Sequence, residues 1–376
     1  MIFDPALIQR GARLKRSPYF QATQRAGCRG YTVYNHMLLP IRYDSFEAEY
    51  ERLLADVTLW DVSVERNVEI AGRDGAKFAE LLTPRDLAKC RVGEGRYVLV
   101  TDEAGGIVND PVLLRIEENR FWLACADSDV LLWAKGVARN SGLQVELREL
   151  DVAPLQVQGP KSRELVSDLF GDRVSTLGYY HFFEAKLEGI PLIVTRTGWT
   201  GELGYELYLL EPARGVDLWN RVLEAGRRYN IAPTGPSDIR RIEAGILNYG
   251  IDMTLDNNPY EVGLERLVNL DKAADFIGRD ALRKIAKSGP SRKLVGVEIS
   301  GTKMDLNFTR YPIRGGGFIT SCVHSPRLKK NIGYAMLPAH RAEEKRLEVD
   351  APDGVRSAVI VPMPFIDPKK AIAKAS

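Results

Sequence analysis

The chain is poor in the residues that usually announce a metal, a disulfide frame or a redox centre, with four cysteines, four histidines and five tryptophans in 376 residues. Cys28, Cys90, Cys125 and Cys322 stand far apart without a C-x-x-C pair. That spacing argues against a zinc site or a disulfide scaffold, assigns no metal, and suits the reduced thiols of a cytoplasmic protein. An excess of one charge is also missing: Lys+Arg number 52 against 50 Asp+Glu, and neither sign forms a long block. Nucleic acid and a polybasic hold on a membrane surface are therefore not expected. No uninterrupted apolar run reaches membrane-spanning length, and the opening MIFDPALIQRGARLKR places charges ahead of any apolar stretch, so neither insertion nor secretion is expected. There is no internal repeat, no P-loop and no G-x-G-x-x-G after a strand, and the triplet Gly315 to Gly317 lacks a following helix.

What is present is ordinary globular material, 45% hydrophobic and 27% charged, in a chain too long for one core. Two or three domains are expected. The run GYTVYNHMLLP reads as strands, followed by a helix from about Ser45 to Asp56. From Asn67 to Leu147 the pattern predicts strand NVEIAG, helix DGAKFAELL, strands RYVLVT, GIVNDPVLLRI and RFWLACA, and helix SDVLLWAKGVA with Ser128 as its N-cap. Val130, Trp133, Ala134 and Val137 share one face of that helix. Beyond Pro154 come helix GPKSRELVSDLF, closed by Gly171, and a helix through Leu218, Trp219, Val222 and Leu223. Between them LIVTRT and YELYLL flank GWTGELG, whose glycines can supply the positive φ of a hairpin turn. Ser237 is placed to cap a helix striped by Ile239, Ile242, Ile246 and Tyr249. The last hundred residues read as strands KLVGVEIS, FITSCVHS, NIGYAML, RLEVDA and SAVIV with no convincing helix, which predicts a barrel or sandwich.

Taken in order, GGIVNDPV, RTGWTGELGYELY, RRIEAGILNYGID, DFIGRDAL and TSCVHSPRLKKNIGYAML resemble the folate-binding T-protein (aminomethyltransferase) family of the glycine cleavage system over almost the whole chain. The resemblance implies an α+β, three-lobed fold: a discontinuous folate-binding lobe (1–65 plus 150–275), an inserted α+β lobe (66–149) and a β-rich, barrel- or jelly-roll-like C-terminal lobe (276–376). Within that family, YTVYNHMLLP, LWDVSVERNVEI, TPRDLAK, NDPVLLRIEENRFWLACADSDVLLWAKG and DNNPYEVG are more similar to dimethylsulfoniopropionate demethylases. The hairpin GWTGELGYE, by contrast, is closer to the T-protein form. The implied activity is tetrahydrofolate-dependent methyl transfer from a small-molecule sulfonium.

A sulfonium is already activated, so the protein must mainly align donor and acceptor in a dry channel. The resemblance implies that Glu206, Tyr208, Tyr97 and Arg241 hold tetrahydrofolate. By pattern alone Glu206 is a strand glutamate facing water; as a buried carboxylate it could accept two hydrogen bonds from a pterin edge. Asp110 and Asn109 stand where T-proteins carry an acidic pair that manages the folate nitrogen, and the pair also suits a plain β-turn before Pro111. Which of the two takes the acidic role stays open. Tyr31, Tyr34, His36 and Trp199 are the implied donor-binding set, because aromatic faces attract sulfonium and methylated ammonium cations; each ring alone is more often core than cage, Trp199 in its Gly-rich turn being the strongest candidate, and an isolated histidine such as His36 is more often structural. Arg241 and Glu243 read most economically as a structural pair against the neighbouring lobe.

Three other functions share the resemblance. A glycine-cleavage aminomethyltransferase would need a lipoyl carrier protein as partner, and Asn109 in place of an acid speaks against it. A demethylase of another donor, a betaine or an aryl methyl ether, is not excluded by the sequence. A non-catalytic assembly factor for iron-sulfur proteins would carry a K-G-C-Y-x-G-Q-E type signature, which is absent. A homodimer stays open.

Overall fold

A computed structural model describes residues 11–307 and 309–375. The opening MIFDPALIQR therefore lies outside the described residues. The first described strands, Gly30–Tyr34 and Met37–Arg42, pair as a hairpin whose two turn residues, Asn35 and His36, have φ of 49° and 61°. A two-residue turn with both φ positive matches the twist of its strands, and Asn tolerates that region best. The Asn35 carboxamide then donates to the carbonyls of Val64, Cys125 and Ala126, which pins the hairpin over the rest of the chain. Helix Phe46–Ala55 follows, capped by the Ser45 hydroxyl accepting from the Ala48 N–H.

The centre is a six-stranded sheet in the order Phe182–Leu187, Ile190–Thr195, Gly204–Leu209, Ala153–Gln158, Thr58–Asp61, Ala232–Pro233. The chain leaves this sheet after Asp61 and returns at Ala153. In the interval it builds a five-stranded sheet in the order Glu146–Leu150, Arg66–Ala71, Arg120–Cys125, Val112–Glu117, Gly95–Tyr97. Helices Gly75–Leu82 and Val130–Ser141 cover one face of that second sheet, with Phe78, Leu82, Val130 and Ala134 in the shared core.

Side chains alternate across a strand, and this decides where the site lies. In the central sheet Leu155, Val157, Val194, Tyr205, Leu207 and Leu209 point to the face covered by helices Ser162–Phe170 and Gly215–Gly226. Ile193 and Tyr208 point the other way, into a core shared with Leu114, Ile116 and Trp122 of the second sheet. Both faces are covered, so every residue of Gly204–Leu209 is buried. Glu206, two residues from Tyr208, is therefore carried into the space between the sheets.

The C-terminal strands form a six-stranded sheet in the order Tyr311–Pro312, Phe318–Ser325, Lys330–Pro338, Arg292–Ile299, Gly354–Val361, Leu347–Ala351. A bridge between Ile313 and Val349 joins its two ends into a nearly closed barrel. Its strand Phe318–Ser325 packs against helix Asp238–Glu243 of the first region. Among the described residues no helix is long and apolar enough to cross a membrane, and all four cysteines are unbonded.

Several local expectations are corrected. RYVLVT and GIVNDPVLLRI are each broken in two, so that Val100–Thr101 and Ile107–Asn109 make a separate small sheet; Pro111, with no N–H to donate, marks the second break. Ser128 is not the cap of helix Val130–Ser141: the N-cap is Asp129, and the Ser128 hydroxyl donates instead to the Val108 carbonyl. Ser237 does cap its helix, but that helix ends at Glu243 because Gly245 turns to φ 67°, leaving Ile246 and Tyr249 on the following loop. The last hundred residues do contain a helix, Arg279–Ser288, ahead of the barrel. In GWTGELG only Gly201 has positive φ. Gly198 and Gly204 are required instead because a Cβ on either would meet the Gln158 side chain at 2.1–2.3 Å.

Candidate functional site

Between the two sheets, helix Asp238–Glu243 and the barrel lies a cavity of about 760 Å³. The central sheet contributes Gln156 and Glu206, the second sheet Tyr97, the turn after Asn109 Asp110, and the hairpin Tyr34. Gln156 and Glu206 are directly opposite across antiparallel strands, and the Gln156 amide donates to Glu206 Oε1 at 2.6 Å. Glu206 Oε2 accepts from the hydroxyls of Thr197 and Tyr208. Burial raises the Glu206 carboxyl above its ordinary range, against the pull of these donors. Gln156 Oε1 is buried without a partner.

Asp110 faces the same cavity from the strand break before Pro111. Its Oδ2 accepts from the Tyr97 hydroxyl at 2.9 Å, while Oδ1 is buried and unpartnered. Burial pushes this carboxyl up to about 7, the Tyr97 hydrogen bond recovering only part of the shift. Asn109 points the other way. Its amide donates to the Ala126 carbonyl and the Ser128 hydroxyl, and its oxygen accepts from the Ala126 N–H, so the side chain is consumed in holding the turn.

Of the ten residues proposed from sequence, Asp110, Glu206, Tyr97, Arg241, Tyr34 and Trp199 line the cavity. Tyr208 stands behind Glu206 as its hydrogen-bond donor. Tyr31 does not reach the cavity: its hydroxyl contacts Thr23 Oγ1 at 2.8 Å and its ring packs on Phe20. His36 lies exposed at the hairpin tip. Arg241 and Glu243 are both buried but do not pair with each other. Arg241 bridges Asp238, Asp252 and Ser321 of the barrel, and its guanidinium lies 5.6 Å from the Trp199 ring centre. Glu243 accepts from Tyr50 and from Ser325 of the barrel. Each therefore ties the helix to the neighbouring lobe separately.

Sequence reasoning missed Gln156, Glu65 and Tyr249, all lining the cavity. A polar residue among LQVQ, in a strand whose neighbours are apolar, was the available signal for Gln156; nothing in the local pattern marks the other two.

A pocket between the central sheet and the inserted sheet, with a six-stranded barrel against its side, defines the class. The model of the GCVT N-terminal domain matches residues 19–272, and that of the glycine cleavage T-protein C-terminal barrel domain matches residues 292–367. The chain belongs to the glycine cleavage T-protein family and is an enzyme, a transferase. It is 37% identical to a dimethylsulfoniopropionate demethylase from Ruegeria pomeroyi over 353 residues, 93% of this chain and 96% of that protein. To an aminomethyltransferase from Symbiobacterium thermophilum it is 34% identical over 370 residues, 94% of this chain and 97% of that one. The crystal structure of the aminomethyltransferase T of Bartonella henselae has the same fold, with a TM-score of 0.84 at 23% identity, covering 94% of this chain and 98% of that one.

Proposed function

We propose that this enzyme moves a methyl group from dimethylsulfoniopropionate to tetrahydrofolate, giving methylmercaptopropionate and 5-methyltetrahydrofolate. The observation that carries the reading is one cavity with two unmatched acceptor atoms, Gln156 Oε1 and Asp110 Oδ1, beside aromatic walls. A buried acceptor without a donor is costly, and the donor-rich edge of a pterin would relieve it, so the residues suit the cofactor. Bound there, tetrahydrofolate would supply the accepting nitrogen.

The chain's own groups then have separable tasks. Glu206 and Gln156 would hold the pterin edge and so orient the accepting nitrogen. As the S–CH₃ bond breaks, its electron pair stays on sulfur and leaves a neutral thioether, and the new N–CH₃ bond frees one proton. Asp110 Oδ1, with its carboxyl near 7, is suited to take that proton at neutral pH. Tyr97 keeps Asp110 oriented. Tyr34 and Trp199 line the cavity and would offer ring surface to the cationic donor, Trp199 sharing its ring with the Arg241 guanidinium.

The 37% identity to a demethylase favours the sulfonium donor, while the GWTGELGYE hairpin and the aminomethyltransferase relatives favour aminomethyl transfer from a lipoyl carrier protein. Purified protein given tetrahydrofolate and dimethylsulfoniopropionate, without metal or carrier protein, should form methylated folate visible by mass spectrometry. Product only with a loaded lipoyl carrier, or only with a nitrogen- or oxygen-methyl donor, overturns the assignment of the donor.

A further inference from the structure

Six carboxyl-bearing residues line the cavity, and five are occupied. Asp110 accepts from Tyr97, Glu206 from Gln156, Thr197 and Tyr208, and Asp127 from the Asn35 N–H. Asp238 pairs with Arg241, and Asp367 accepts from two backbone N–H groups. The sixth is Glu65, in the turn that joins strand Thr58–Asp61 to strand Arg66–Ala71. Among the described residues its side chain has no hydrogen bond and no ion-pair partner, although its backbone N–H is committed to the Val62 carbonyl. The adjacent Arg66 is turned away, into Glu149 and Asp129. The two buried arginines of the cavity wall are also spoken for, Arg240 by Glu202 and Arg241 by Asp238 and Asp252.

Arg266, Arg310 and Lys370 also line the cavity but form no ion pair with Glu65, so the cavity presents a half-buried carboxyl with no protein cation at ion-pair distance, a place where a ligand cation would be favoured. That this cavity takes a ligand at all is marked by Gln156, fully buried and left with an unsatisfied oxygen, which serves the acceptor side and leaves Glu65 for the donor. Burial, with Glu206 and Asp110 nearby, holds the Glu65 carboxyl well above its usual range, so it favours its protonated form until a positive charge beside it draws it to the carboxylate. The Tyr34 ring closes this part of the wall, its hydroxyl feeling the charges of Asp110 and Glu65. We infer that Glu65 is the counter-ion of the positive centre on the methyl donor, so that the cavity selects a sulfonium or quaternary ammonium over a neutral group of the same shape. The inference rests on the methyl-transfer reading and adds to it a specificity-determining residue. Glu206 and Asp110 serve the acceptor side, and Glu65 serves the donor side.

The test compares dimethylsulfoniopropionate with 4-methylpentanoate, which replaces the sulfonium by a neutral carbon of similar shape, using calorimetric titration into the full-length protein. The wild type should prefer the cation by at least about tenfold, Glu65→Gln should bring the two affinities together, and Glu65→Asp should keep part of the preference. Affinity for 4-methylpentanoate and for tetrahydrofolate should be unchanged, and in turnover KM for the donor should rise with kcat nearly held, which a merely structural role would not produce. If the glutamine variant does not fold, wild-type discrimination and the aspartate variant carry the test. A wild type that does not discriminate, or a glutamine variant that still does, overturns the inference. Should the wild type prefer the cation in a Glu65-dependent way yet fail to demethylate dimethylsulfoniopropionate, the counter-ion role stands and only the choice of donor falls. Demethylation with a KM unaffected by Glu65→Gln leaves the donor standing and removes Glu65 from its recognition.

Discussion

Replacing Asp110 by asparagine should make the enzyme slower and, in alkaline buffer, more stable. The carboxyl is buried in the cavity wall and pushed from its ordinary 3.8 up to about 7. Because the folded carboxyl holds its proton more tightly than the unfolded one, the favourable contribution is complete below pH ~4 and is lost as pH rises to ~7. At ~1.4 kcal/mol for each pH unit separating the folded and unfolded values, the ionised carboxylate costs at most about 4 kcal/mol above neutrality, and less to the extent that the wall relaxes around it. Asparagine keeps an oxygen for the Tyr97 hydroxyl and carries no charge to desolvate. The variant should therefore unfold at higher urea concentration than the wild type at pH 8, by about 1–4 kcal/mol, with the difference vanishing near pH 4. Turnover should fall by roughly 10²–10⁴, and the rise of kcat/KM through pH ~7 should disappear with it. Equal destabilisation at both pH values, with normal activity in the folded fraction, would refute this and make Asp110 a turn residue.

Two further substitutions probe the surrounding geometry. Glu206→Gln should weaken tetrahydrofolate binding by about 1.5–3 kcal/mol, the range for a hydrogen bond to a charged group; unchanged affinity in calorimetric titration would detach Glu206 from the pterin. Arg241→Met should lower stability by about 3–5 kcal/mol in denaturant unfolding, because it leaves Asp252 buried without its cation at the seam with the barrel. A loss below ~1 kcal/mol would mean that Asp252 is satisfied by Thr320 and Ser321 alone.

The elements that were legible in sequence are those with strong local signals. The helix start near Ser45, the Ser237 cap, the Gly171 stop and the strands of the barrel each follow from short-range chemistry. Errors fell where tertiary context competes with periodicity. Ile246 and Tyr249 continue an apolar spacing, but Gly245 takes a left-handed turn against Pro364 and ends the helix. Ser128 has the right chemistry for a cap, yet its hydroxyl is claimed by Val108, twenty residues earlier in the chain.

The same division holds for the site. The order of motifs was enough to indicate the family and to bring Asp110, Glu206, Tyr97 and Trp199 into consideration, because those residues sit in segments whose local form is distinctive. Whether a side chain faces water or a cavity is not a local property. The strand Gly204–Leu209 reads as alternating, and only the second sheet laid over its other face turns Glu206 from a solvated residue into a buried one. Tyr31 and His36 belong to the same hairpin as Tyr34, and the packing of that hairpin sends one ring into the cavity and leaves the others outside. Glu65 and Gln156 carry no motif at all; they come to line one cavity across roughly ninety residues of intervening chain because the chain leaves the central sheet and rejoins it between them. The sequence by itself thus determined the kind of fold and its local punctuation through short-range hydrogen bonding and hydrophobic period, while burial and the pairing of charges, which need two distant surfaces brought together, were decided by the tertiary structure.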